Sequence, residues 1–158
     1  MKKERTLSWI FSLLAVLAVL TFSTCKKDAA GSAAIIGRWS NSPAGSRDIV
    51  EQYEFKSNDS VIFYTYKIDT LTHAILGYGY RSMGNYKIEK STLTMYNLAS
   101  FSNSEGNFVP LNQLVQTGGS TTETYTFALN SQKNQLSFYF TCPANADCLP
   151  SPLVYIKQ

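Results

Sequence analysis

The sequence predicts an all-β domain of about eight to nine short antiparallel strands. Two observations predict it. From Ile35 onward apolar and polar residues alternate with period two in short runs, and Gly, Asn, Asp and Ser interrupt those runs at close intervals. No stretch in that part of the chain carries the 3.6-residue apolar period of an amphipathic helix. Consecutive short strands spaced in this way build a sandwich or an up-and-down barrel.

The amino-terminal segment stands apart. Lys2-Lys3-Glu4-Arg5, an apolar run from Leu7 to Phe22, and Ser23-Thr24 before Cys25 follow the three-part plan of a secretion signal. The run of about 16 residues is shorter than the roughly 20 of a permanent spanning helix, so residues 1–24 read as a signal peptide. Phe22-Ser23-Thr24-Cys25 resembles a bacterial lipobox, with Phe22 and Thr24 in place of the preferred Leu and the preferred Gly, Ala or Ser. The resemblance implies that Cys25 is lipidated and becomes the first residue of the mature protein. An uncleaved anchor with a free Cys25 thiol is the competing reading.

Buried acyl methylenes contribute about 0.8 kcal/mol each to membrane affinity. The expected partner is thus a membrane, and the expected location is the bacterial cell envelope, the outer membrane before the inner. Residues 25–34 are charged at Lys26, Lys27 and Asp28, then small, and read as a flexible tether. Lys26 and Lys27 suit either anionic headgroups or a sorting signal.

Residues 35–158 form one domain by length. Removal of Lys2, Lys3, Glu4 and Arg5 with the signal lowers the formal charge from +3 to +1, which leaves no basic footprint for nucleic acid. The strands begin at Ile35 to Trp39. In the next run Ile49, Glu51, Tyr53 and Phe55 share one face, and Asn58-Asp59 reverses the chain. Val61 to Ile68 is apolar on both faces, with Val61 and Phe63 against Ile62, Tyr64 and Tyr66; the first pair reads as outward.

Ala74 to Tyr80 carries Tyr78 and Tyr80 on one face and Gly77 and Gly79 on the other. Glycine alternation in a strand signals a bend or a close approach of another backbone. Gly84 to Ile88, Leu93 to Tyr96, Glu123 to Leu129, Leu136 to Thr141 and Leu153 to Lys157 complete the set. Between them Leu98 to Gly119 reads as a long polar loop, either a lid at a mouth or a surface insertion.

Cys142 and Cys148 remain once Cys25 is assigned, an even pair in an oxidising compartment. A disulfide closing so short a ring is worth about 2 to 2.5 kcal/mol in the loop-entropy model. A metal centre competes poorly for these thiols, because the chain has a single histidine, His73, remote in sequence.

Ile36-Gly37-Arg38-Trp39 places a G-x-W at the first strand, the signature of lipocalins. Together with Glu54-Phe55, Gly84-Asn85-Tyr86-Lys87-Ile88, Leu93-Thr94-Met95 and Leu153-Val154-Tyr155-Ile156-Lys157, it makes residues 35 to 158 resemble bacterial lipocalin-like lipoproteins. The resemblance implies an antiparallel up-and-down, lipocalin-like β-barrel whose closed end is plugged by Trp39, with Gly37 passing tightly beside it. It also implies a last-strand cation packed on the tryptophan, where this chain has Lys157 rather than arginine.

Enzyme chemistry finds little support. His73 sits in a turn, no G-x-S-x-G is present, and Gly118-Gly119-Ser120-Thr121 lacks a phosphate-loop lysine and reads as a turn. Glu51, Glu54, Asp69 and Glu123 form no pair whose spacing demands glycoside chemistry. Tyr64, Tyr66, Tyr78 and Tyr80 lie on single faces of neighbouring strands, where they form a pocket wall or fill a core or outer face. The expected function is a non-enzymatic binder of a small apolar or amphipathic ligand, without cofactor or metal. The alternative is a solid barrel that docks another envelope protein.

Overall fold

The computed structural model describes residues 33–43, 45–140 and 151–158. The segment read as a signal peptide (1–24), Cys25, the expected tether as far as residue 32, and both Cys142 and Cys148 lie outside the described residues. The strands are β1 (Gly37–Asn41), β2 (Ile49–Phe55), β3 (Ser60–Ile68), β4 (Ile75–Glu89), β5 (Thr92–Ser102), β6 (Val115–Leu129), β7 (Gln135–Tyr139) and β8 (Leu153–Lys157). Each pairs antiparallel with the next, and β8 returns to β1 through Trp39 opposite Lys157 and Ser40 opposite Ile156. The result is one closed eight-stranded up-and-down barrel.

Eight strands replace the upper expectation of nine because the runs Ala74 to Tyr80 and Gly84 to Ile88 are one strand. β4 continues through Arg81, Ser82 and Met83, where the apolar alternation lapses because Ser82 is the inward residue. A register shift follows at Gly84, where an added Cβ would lie 2.6 Å from the Tyr96 carbonyl oxygen. Only glycine fits that bulge.

The long polar loop is also shorter than expected. β5 extends to Ser102 and β6 begins at Val115, so the connection is residues 103–114. Gly118 to Thr121, read above as a turn, lies within β6, with Gly118 opposite Ser100. The loop is strapped to β4 by Tyr78 N–H to Val109 O at 2.8 Å and Val109 N–H to Tyr78 O at 3.1 Å. The expected close approach is found here: a Cβ at Gly77 would stand 2.9 Å from the Phe108 carbonyl carbon, and one at Gly79 would stand 3.1 Å from the Phe108 ring.

Short turns join the strands at one end of the barrel, and that end is sealed. Trp39 is fully buried, and its indole N–H donates to the Ile35 carbonyl at 2.6 Å. Ile35 is itself buried in a helical turn at residues 33–35, just before β1. Phe55, Tyr86, Leu93, Leu136 and Phe138 pack in the same core. The Lys157 ammonium sits 5.1 Å from the Trp39 ring centroid, a cation–π contact in the place the resemblance implies. Gly37 has φ +130°, and a Cβ on it would meet Lys157 Cε at 3.1 Å.

Two substitutions test this seal by urea unfolding. Trp39→Ala is expected to destabilise by about 3–5 kcal/mol, the range for truncating a buried large aromatic. Gly37→Ala is expected to cost about 1–3 kcal/mol, because it forces a side chain into a conformation close to glycine-only. Losses below 1 kcal/mol at both positions would remove Trp39 from the core.

Candidate functional site

Side chains alternate across each strand, so the same register that buries Trp39 turns Tyr53, Phe63, Ser82, Met95, Tyr125 and Tyr155 towards the barrel axis. The lower interior is filled. Beside that packing lies a cavity of about 180 Å³. Its apolar wall is Val61, Phe63, Met95 and Leu98, and its polar groups are Tyr53, Tyr80, Ser82, Glu123 and Tyr125. An apolar cavity of about 150 Å³ takes up benzene, and drug-sized sites run to about 300–1,000 Å³. The space therefore suits a molecule with about one ring rather than a long lipid chain.

The polar groups are mostly paired. Tyr125 donates to Glu123 Oε2 at 3.0 Å, Tyr155 donates to Glu51 Oε2 at 3.2 Å, and Tyr80 and Ser100 share a hydrogen bond of 2.7 Å. Tyr53 is different. Its ring is packed among Phe63, Tyr155 and Phe138, with centroids at 4.6, 5.2 and 5.4 Å. The residue is 8% exposed and lines the cavity, and it makes no side-chain hydrogen bond among the described residues.

Burial pushes the Tyr53 hydroxyl well above the ordinary tyrosine range, and Tyr155, Tyr125, Glu123 and Glu51 add to the rise. Burial also raises Tyr125 and Tyr155, each reinforced by its own glutamate. All three shifts favour the neutral phenol.

Of the four tyrosines singled out by their spacing, Tyr80 lines the cavity. Tyr64, Tyr66 and Tyr78 lie on the outer face, where the Tyr64 and Tyr66 rings stand 5.7 and 5.9 Å from Tyr78. The physical reason is a bulge: Thr65 pairs with Tyr80 but Tyr66 pairs with Tyr78, so Gly79 is an extra residue and the two tyrosines face opposite sides. Val61 and Phe63, read as outward, are inward, and Val61 is 1% exposed. The spacing of β3 marks two apolar faces without saying which is the core.

Glu51, Tyr53, Glu123 and Tyr125 were not singled out as a site. The signal was present, since acids alternate in phase with Tyr53 on β2 and with Tyr125 and Phe127 on β6. His73 is exposed, with φ 57°, in the turn after β3, and its N–H donates to the Asp69 carbonyl at 2.8 Å. Among the described residues no three His, Cys, Asp or Glu side chains converge as a metal site.

Alkaline titration of the phenols checks the interior placement. A tyrosine pKa raised by folding contributes stability that is complete below about pH 10, the unfolded value, and is lost as pH climbs towards the folded value. At about pH 11, absorbance at 295 nm is expected to show at least three fewer ionised tyrosines in the folded than in the urea-unfolded protein. Full ionisation of all ten tyrosines while the fold persists would contradict the site. Compared with protein-family models, with curated proteins and with solved structures, the chain matches none.

Proposed function

We propose that this chain is a lipocalin-like lipoprotein of the bacterial cell envelope, tethered through Cys25, that binds a small apolar or amphipathic molecule in its barrel without transforming it. The cavity carries the reading. A barrel plugged by Trp39 at one end encloses about 180 Å³ lined by four apolar side chains and five polar ones. Pockets for small molecules combine apolar walls with a few placed polar groups in this way. His73, the one histidine of the chain, lies in an exposed turn and borders an outer groove rather than the cavity. Neither Ser82 nor any cavity tyrosine has an imidazole base beside it, which favours binding over hydrolysis. In this reading Cys142 and Cys148 are bridged in the connection between β7 and β8.

A second reading, a docking surface for another envelope protein, is favoured by the rim. Leu71 is 90% exposed, Leu76 57% and Ile75 50%, and Ile75 lines an outer groove with Val50, Tyr66, Ile68, Val154 and Ile156. Covalent crosslinking in cells that captures one stoichiometric partner through Leu71 or Leu76 would favour it.

Titration calorimetry with benzyl alcohol separates the two. Saturable one-to-one binding is expected, and Ser82→Leu, which puts a branched chain into the cavity, is expected to abolish it while the thermal midpoint holds. No binding, or binding unaffected by Ser82→Leu, would remove the cavity as the site. The anchor is tested by mass: the mature protein is expected to begin at acylated Cys25, and Cys25→Ala to accumulate as precursor. Processing unchanged by that substitution would overturn the anchor.

A further inference from the structure

We infer that the ligand of this cavity is a small protonated amine bearing one ring-sized apolar group. The inference rests on the binding reading above and adds the ligand's charge. Glu123 stands at the exposed edge of the cavity and accepts one hydrogen bond, from Tyr125, on Oε2. The ion pairs among the described residues are Arg38 with Glu54, Lys67 with Asp48 and Lys87 with Glu89, so neither Glu123 nor Glu51 has a cation of its own. Lys157, the lysine packed on the barrel plug, is held over Trp39 at the closed end.

The cavity thus presents the Glu123 carboxylate at its edge and ring faces within, without a matching positive charge among the described residues. Tyr53 supplies the second, independent observation: a phenol-bearing residue more than nine-tenths buried, lining the same cavity, with no side-chain hydrogen bond among the described residues.

An ammonium brings three donors and no acceptor, which matches a carboxylate oxygen, a phenol oxygen and the faces of Tyr53, Phe63 and Tyr80. A carboxylate ligand meets like charge here, and a neutral alcohol leaves the glutamate field without a counter-charge. Val61, Met95 and Leu98 take the apolar end, and a cavity of about 180 Å³ limits that end to about one ring.

Three probes of near-equal shape test the charge: 2-phenylethylamine, 2-phenylethanol and phenylacetate, titrated calorimetrically into the full chain in phospholipid nanodiscs, with empty nanodiscs as the partition control. The amine is expected to bind at least about tenfold more tightly than the alcohol, and phenylacetate not to bind. Glu123→Gln is expected to erase the preference for the amine. Tyr53→Phe, which keeps the ring, is expected to weaken the amine severalfold with an unchanged thermal midpoint, and it decides the matter if Glu123→Gln folds poorly. Equal or tighter binding of the alcohol or of phenylacetate overturns the amine while leaving the cavity reading in place. Failure of all three probes removes both.

Discussion

Closing eight strands into a barrel fixes the width of its interior, and the inward side chains must then fill that width or leave a space of defined size. Trp39 decides where the filling ends. Its indole is held by the Ile35 carbonyl, its face is covered by Lys157, and its strand enters through a Gly37 whose φ excludes other residues. The contact joins the residues just before β1 to the last strand, at the seam where β8 meets β1. Sequence ends far apart are thereby locked together at the base of the molecule, and everything beyond that plug is free to be less densely packed.

The interior beyond the plug is polar in a controlled way. Tyr155 with Glu51, Tyr125 with Glu123, and Tyr80 with Ser100 each satisfy a hydroxyl locally, so the walls carry polar atoms without a large desolvation cost. Tyr53 is the exception: it is 8% exposed, lines the cavity and makes no such bond among the described residues. The loop at residues 103–114 reaches the rim on the same strand, β4, pressed against Gly77 and Gly79, so the glycines that make the bulge also seat the loop. The bulge that turns Tyr80 inward and the loop seat at the rim are one local feature.

Much of the barrel was readable from the residues because a half-buried strand writes its period into the chain. Gly37 and Trp39 announced the plug, and the phase of Tyr53 with Phe55, or of Tyr125 with Phe127, announced the inner face. Where the readings failed, register was the cause. One extra residue at Gly79 reverses the faces of Tyr78 and Tyr80, and a period-two pattern cannot show it because the shift exists only in the pairing with β3. Gln116 to Thr122 lacks apolar alternation altogether, since most of its side chains are exposed, and it becomes strand through its pairing with β5. The site suffered from the same ambiguity, because four tyrosines on apparent single faces outweighed two glutamates that were in phase with the core.

Entry of the proposed ligand into the barrel is reported directly by the chain's methionines. Met95 lines the cavity, whereas Met83 pairs with Ile62 on the outer face and its sulfur accepts a hydrogen bond from the Arg81 guanidinium at 3.0 Å. The measurement is a methyl-¹³C methionine NMR titration with 2-phenylethylamine, with intermolecular Overhauser contacts recorded at saturation. The Met95 methyl is expected to shift and contact the ligand ring while the Met83 methyl stays in place. A ligand that moves Met83 and leaves Met95 untouched would put the binding site on the outside of the barrel and contradict entry.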